Sequence, residues 1–476
     1  MMVKKILCLL LVMAMLCVAF TACAKDNEPD NRETNPPTVD GDEDETEGET
    51  EEPLAIERFG EDDMPVEFTM MVRASRYDYL YWDSDATSDA VQQSVFERNA
   101  YIEEQFNIIF NNAEITDTAN SFTTALTGGT GEYDLVCYDY WWGLETNGFF
   151  HNIGSMEEID LTDSYWYSGW NQNSTINGVS YSVVGDASLE VLQNIEVMFF
   201  NTEIAKGYSL DLYGLVDEGK WTLDKLMEIN TLVAQNLDDN DATNDVYGTM
   251  FDVHSTRALL TSAGLRVTQI AENGAVEIIA SQSKNIDICD KVTLLINNPA
   301  IDYSSTNTRW RDYTLFSGGR SLFYATALIM GRTLKSLDMD FDYGVLITPK
   351  YDEESDYVST NYGASVFSIP LDVKDRHMSA MILNAMNYLS ADSIVYTYYD
   401  EVIKGRVAEA PEDAEMIDMA RENMYMDFGF IYNTDLALLT AFYNAVLSNT
   451  SVANDLASVE QSAQEALTEL IASFHQ

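Results

Sequence analysis

The residues of this sequence best suited to chemistry are rings standing beside fixed polar groups. Arg73, Tyr77, Tyr79, Tyr81 and Trp82 follow one apolar run, and Tyr138, Asp139, Tyr140, Trp141 and Trp142 close another. Tyr165, Trp166, Tyr167 and Trp170 form a third group, and Trp310 stands between Arg309 and Arg311. Flat rings stack on the apolar faces of a pyranose while Asp, Asn and Arg take its hydroxyls, so such neighbours suit a carbohydrate. The competing role for each ring is packing, which is the commoner use of a Trp or Tyr. Trp221, in GKWTLDKL, reads as packing at a helix start, and Asp186 in VVGDAS either approaches a ligand or caps a turn.

Other chemistry has little material. Four histidines and five cysteines occur in 476 residues, with no GxSxG, Walker loop, HExxH or CxxC spacing. The acids cannot be sorted into catalytic pairs without geometry, so a binding role leads. The alternative is a secreted glycoside hydrolase, which would need two carboxyls about 5 Å or about 6.5–9.5 Å apart. Asn236, Asp238 and Asn240 place oxygen ligands at every second position, as a calcium loop does. Asp241 stands where such a loop needs Gly, and Tyr247 where it needs a bidentate Glu. The run is either a structural Ca²⁺ site or a solvated turn, and no other cofactor is expected.

A net charge of −53 excludes nucleic acid as a partner and attraction to an anionic membrane. At the start, Lys4 and Lys5 precede an apolar run from Ile6 to Phe20 and the small pair Thr21, Ala22, as in a secretion signal over 1–22. Phe20-Thr21-Ala22-Cys23 resembles the bacterial lipobox, which makes Cys23 the expected lipidation site. Phe20 departs from the usual aliphatic residue. From Lys25 to Pro53 the chain has no Trp, Tyr, Phe, Leu, Ile or Met, so residues 23–60 are expected to form an acidic tether. Cys137 and Cys289, in apolar surroundings, are expected to be buried free thiols.

The elements that must position the rings follow from patterning. Val66–Val72, Ile108–Asn112 and Asp134–Tyr138 read as strands, alternating with helices capped at Ser88 or Asp89 and spanning about 119–126. In the first helix Val91, Val95, Ile102 and Phe106 form the apolar stripe, with Glu97, Arg98, Glu103 and Glu104 on the wet face. Further strands are expected at Glu196–Phe200, Tyr343–Pro349 and Ala364–Ile369, and helices at Leu223–Gln235, Met378–Leu389 and Val452–Phe474. Alternation of this kind predicts an α/β chain of two lobes, each a mostly parallel sheet flanked by helices.

Glu97–Ile108 (ERNAYIEEQFNI), Tyr133–Asp139 (YDLVCYD), Ile176–Ser188 (INGVSYSVVGDAS), Met198–Glu203 (MFFNTE), Gly219–Ile229 (GKWTLDKLMEI) and Asp342–Glu354 (DYGVLITPKYDEE) carry a further pattern in their order and spacing. Through these the chain resembles the bacterial extracellular solute-binding lipoproteins of the maltose-binding type, the receptors of ABC importers. The resemblance implies a two-lobed periplasmic-binding-protein-like fold, with a hinge and a ligand cleft between the lobes. One lobe would comprise 61–195 and 366–408, the other 196–365 and 409–476. Crossings would fall near 195–201, 362–370 and 409–418. It further implies a monomer outside the cytoplasm, lipid-anchored on a Gram-positive surface or in a periplasm, delivering its ligand to permease subunits. The ligand side chains would be Arg73, Tyr77, Trp82, Tyr138, Asp139, Trp141, Trp142, Trp166, Asp186 and Trp310. A receptor of the same fold for peptides or another polar solute is the third reading.

Overall fold

The computed structural model describes residues 54–75, 80–82, 88–236, 245–251, 253–271, 274–303, 312–361, 363–398 and 411–474. The signal sequence, Cys23 and nearly all of the tether therefore lie outside the described residues, as do Tyr77, Tyr79, Arg309, Trp310, Arg311, Asp238 and Asn240. No described helix is long and apolar enough to cross a membrane.

In chain order the strands are β1 Val66–Arg73, β2 Ile108–Ile115, β3 Leu135–Asp139, β4 Glu196–Asn201, β5 Tyr247–Phe251, β6 Thr268–Ile270, β7 Val276–Ile278, β8 Ile301–Tyr303, β9 Ser321–Ala327, β10 Tyr343–Ile347 and β11 Ser365–Ser368. They build a sheet ordered β11-β3-β1-β2, a sheet ordered β10-β4-β9-β5-β8 and the hairpin β6-β7. In the first sheet β1, β2 and β3 run parallel and β11 antiparallel to them. In the second, β5, β8 and β9 run parallel, and β4 lies antiparallel to both β9 and β10. Each sheet thus holds one reversed strand, and in each that strand has come across from the other lobe. This strand exchange makes two lobes of one chain.

Along β1 the side chains alternate as a sheet requires: Phe68, Met70 and Val72 enter one core, Met71 another. The first core is covered by Ile102 and Phe106 of the helix Ala90–Phe106 and by Ile382 and Met386 of the helix Arg376–Ser390. The Asp89 carboxylate caps the former helix, accepting from Val91 N and Gln92 N at 3.0 and 3.1 Å. Asn107, in the left-handed region at φ 57°, ends it. Arg98, expected on the wet face, is instead buried. Its guanidinium donates to Leu80 O at 2.8 Å and Ser390 Oγ at 3.0 Å, and burial pushes its pKa down to about 9.

Packing also begins earlier than the expected end of the tether at residue 60. Phe59 is buried, its N–H bonds Phe106 O at 2.8 Å, and Asn107 Nδ2 holds Phe59 O at 2.7 Å. It is the first aromatic residue after the acidic stretch, and Leu54 just before it also packs on the same core. Cys137 and Cys289 are free and buried.

Two connections between the lobes lie side by side, and the segment Asn423–Met426, which follows the helix Pro411–Glu422 packed on β10, runs beside them. Ile195 bridges Asn361, and Glu196 N donates to Thr360 O at 3.0 Å. Ser359 N and Tyr425 N bond Asn423 O and Ser359 O, each at 3.1 Å, and Met426 N reaches Gly169 O at 3.1 Å. Mutual backbone pairing is what lets such segments bend together as a hinge.

Candidate functional site

The carboxyl ends of β1, β2 and β3 converge on one wall beside these connections, which is where open α/β sheets bind ligands. Arg73 ends β1. Its guanidinium meets Asp117 Oδ1 at 2.7 Å, Asp139 Oδ2 at 3.2 Å and Glu190 Oε2 at 3.3 Å. Asp117 follows β2, Asp139 ends β3, and Glu190 belongs to the short helix Leu189–Gln193 that leads into the first connection. Ser365 of β11 adds a hydroxyl, donating to Glu190 Oε2 at 2.6 Å and accepting from Arg73 at 3.3 Å. Burial works against the charge of Arg73, yet its pKa is raised because the three carboxylates more than offset that loss. Burial likewise pushes the Asp139 carboxyl up to about 6, against the pull of Arg73.

The ring loop starts here. Asp139 Oδ1 accepts from Trp141 N at 3.1 Å and caps a turn of 3₁₀ helix, Tyr140–Trp142, which Gly143 ends at φ 58°. This local cap swings Trp141 and Trp142 off the end of β3. Trp142 lies over the Arg73 guanidinium, 5.4 Å from ring centre to Cζ, with Phe122 5.0 Å away on ring centres. Trp141 is half-buried and lines a crevice between the lobes. Across from it stand Arg257, Ala258 and Thr261 of the helix Val253–Ser262, with Thr360 and Asn361 of the second connection and Met426, Phe430 and Leu439 from the C-terminal part of the chain. Only about 20 Å³ is free inside, room for about one water. A ligand larger than that enters only when the lobes part. A larger hollow of about 600 Å³, lined by Phe59, Thr69, Asp134, Lys374 and Asp375 among others, lies at the amino ends of β1 and β3, away from the ring loop.

Several expected ligand side chains are core instead. Tyr138 is fully buried and stacks on Phe150 at 5.5 Å, because it is the in-pointing neighbour of Asp139 on β3. Trp166 is buried among the first lobe's apolar residues, where its Cε3 would be met at 2.7 Å by a Cβ on Gly185. Tyr165, Tyr167 and Trp170 are buried too. Asp186 is withdrawn from the crevice: its side chain is buried and ion-paired at 2.5 Å with Arg421, which tethers the helix Pro411–Glu422 to the first lobe. Trp82 is half-buried against the core, and its indole N–H is enclosed without a partner. Trp221 packs as expected, donating from Nε1 to Ile347 O at 2.8 Å. The structure thus brings together Arg73, Asp139, Trp141 and Trp142. Asp117, Glu190 and Ser365 join them without having been read from the sequence; a buried acid inside LEVLQ was the one available sign.

Of the three oxygen ligands of the calcium-like run, only Asn236 is described, and it is exposed. Among the described residues no group of three or more His, Cys, Asp or Glu side chains is arranged to hold a metal ion.

No protein-family model and no curated protein matches this sequence. Solved structures do. The cyclic alpha-maltosyl-1,6-maltose binding protein of Arthrobacter globiformis superposes with a TM-score of 0.56 at 15% identity, over 85% of this chain and 99% of that one. An ABC substrate-binding protein of Listeria monocytogenes, in complex with cycloalternan, gives 0.52 at 13% identity over 86% and 99%. UgpB from Mycobacterium tuberculosis, in complex with glycerophosphocholine, gives 0.57 at 12% identity over 85% and 99%. At these identities the likeness is one of architecture: the chain has the two-lobed fold of the ABC substrate-binding proteins.

Proposed function

We propose that this protein is the substrate-binding component of an ABC importer, capturing a carbohydrate, in particular an oligosaccharide, between its lobes and delivering it to permease subunits. It works without catalysis, as a monomer, held at the extracytoplasmic face of the membrane by lipid on Cys23. The observation that carries this reading is the Arg73–Asp139–Trp141–Trp142 wall, which sets rings beside hydrogen-bonding groups at the mouth of a shut interlobe crevice. Same-fold proteins hold cycloalternan in one case and glycerophosphocholine in another, so the fold leaves the ligand open and the ring-lined wall argues for a sugar.

Thermal-shift measurement of the whole body against cyclic and linear oligosaccharides, with glycerophosphocholine and short peptides as competitors, tests it. One or more oligosaccharides should raise the melting temperature, by the equivalent of about 2.7 kcal/mol at a hundredfold excess over Kd. Trp141→Ala should then weaken binding by roughly 1–3 kcal/mol with little change in ligand-free melting. Stabilisation by peptides alone would overturn the carbohydrate assignment, and release of sugar from a chromogenic glycoside would point to the hydrolase.

A further inference from the structure

We infer that His377 is a proton-dependent clasp: protonated, its ring holds the first residues of the folded body onto the first lobe at Glu57, and neutral, it lets them go. His377 lies in the first turn of the helix Arg376–Ser390, whose Met378, Ile382 and Met386 are buried in the first lobe's core, so the base of the clasp is fixed. Its Nδ1 lies 2.5 Å from Glu158 Oε1 and its Nε2 lies 3.0 Å from Glu57 Oε2. Glu158 follows the 3₁₀ turn Ile153–Ser155, and Glu57 belongs to the segment by which the chain enters the body. The Phe59 ring stands edge-on to the imidazole at 6.1 Å between centroids.

A carboxylate on each ring nitrogen is an arrangement that only the imidazolium satisfies. It carries an N–H at both nitrogens, whereas a neutral imidazole carries one and turns a lone pair toward the other carboxylate. Glu158 is the closer partner, and its side chain is 20% exposed against 56% for Glu57. A neutral ring therefore keeps its proton on Nδ1 for Glu158 and loses Glu57. Among the described residues no other hydrogen bond ties 54–57 to the body; Leu54 is partly buried and Ile56 is exposed. From Arg58 onward the chain is held independently, by Arg58 Nη1 on Glu104 O at 2.7 Å and Phe59 N on Phe106 O at 2.8 Å. Release is thus confined to the residues ahead of Arg58.

Glu158 and Glu57 are the charged groups that bear on the ring from the elements packed against it. On its own helix Asp375 is engaged as the cap, accepting from Met378 N at 3.0 Å, and Arg376 acts on His151. The hydrogen bond to Glu158 and then that to Glu57 hold the His377 pKa above its usual value of about 6.5. The held form has the higher pKa, so the hold is complete below about pH 6.5 and is lost as pH rises through the raised value. Each residue freed adds about 3.3–3.6 Å of reach to the chain ahead of it. On the lipid-anchored reading this lets the receptor ride farther from the membrane above neutrality; the clasp itself stands without that reading.

The test uses the ligand-free chain from Ala24 onward, tether included, with a nitroxide on Ala55→Cys; Cys137 and Cys289 are buried. Its electron paramagnetic resonance spectrum is recorded at pH 5.5 and pH 8.5. The mobile component should grow about threefold or more at the higher pH in the otherwise wild-type chain. His377→Leu should be mobile at both. Glu158→Gln should stay immobile at both: its amide donates to Nδ1, which leaves the neutral ring's N–H on Nε2 for Glu57. Titration of the four histidines by imidazole proton resonances should place His377 above 6.5, and lower in Glu57→Gln than in wild type. A wild-type spectrum that does not change with pH, an H377L variant with the wild-type response, or a His377 that titrates alike with and without Glu57 would overturn the inference.

Discussion

Arg73 is a single guanidinium answering for Asp117, Asp139 and Glu190 in a setting only 8% exposed. Removing one partner of a buried ionic cluster costs more than the cluster contributed, because the remaining charges stay behind without compensation. Arg73→Met should therefore lower stability by about 3–5 kcal/mol, read as a fall in the urea midpoint at pH 7.5. The deficit should shrink as pH falls below about 6, where Asp139 takes up a proton. Arg73→Lys keeps the charge but loses the forked geometry, and should fall between the two. A midpoint for R73M equal to wild type would show the three carboxylates to be solvated. Part of this cluster was legible in the sequence, since Arg73 and Asp139 close recognisable apolar runs beside aromatic residues. Asp117 and Glu190 were not, because they stand 44 and 117 residues from Arg73 and only the sheet order brings them within reach. Tyr138 was misjudged for a related reason: a ring beside a strand end points into the core or out of it according to register, which one sequence does not fix.

At the scale of elements, Gly169, in the helix Ser168–Ser174, lies hard against the backbone of Met424 and Tyr425. A Cβ on Gly169 would collide with the carbonyl of Met424, and this is backbone, which cannot swing aside. Gly169→Ala should displace Asn423–Met426, break the Met426 N to Gly169 O bond and slacken the pairing of Ser359 with its neighbours. A loss of roughly 1–3 kcal/mol in thermal unfolding is expected, with raised exchange at Ser359 and Tyr425; an alanine variant melting like wild type would mean that Asn423–Met426 gives freely. Nothing about Gly169 in the sequence announced this, as its φ is ordinary and its contact is 255 residues away. The elements themselves were legible where pattern and cap agreed: Asp89 caps its helix as expected, and β1, β4, β10 and β11 lie within a residue or two of their expected positions. β5, β8 and β9 were missed. β9, SLFYATA, is buried at every position and so shows no alternation by which a strand is recognised. The expectation of mostly parallel sheets holds for three neighbours in each lobe, and the reversed strands β4 and β11 mark where the chain changes lobes.

For the whole molecule the decisive balance is between two acidic lobes that repel and the few contacts that hold them together. The chain carries −53, of which the segment 26–52, with thirteen acids and one Arg, accounts for only 12, so the lobes themselves are strongly negative. Against this, Arg332 of the helix Met330–Ser336 reaches across to the Asp89 carboxylate at 2.9 Å, both side chains about one-third exposed. The geometry is economical, because Asp89 Oδ1 caps its own helix while Oδ2 takes the arginine. Asp89→Asn preserves a capping oxygen and removes only the cross-lobe charge pair. Being partly exposed, the pair is worth at most about 1 kcal/mol, so D89N should shift the balance toward open forms by up to about fivefold. Small-angle scattering of the ligand-free body at low salt should report this as a larger radius of gyration for D89N than for wild type. Salt separates the two forces: it screens the pair, loosening the wild type, and screens the repulsion, tightening both proteins. The difference between D89N and wild type should therefore close as salt rises toward 0.5 M, whatever the common trend. A difference that persists at high salt would trace to altered helix capping, and equal radii at low salt would show that Arg332 does not hold the lobes.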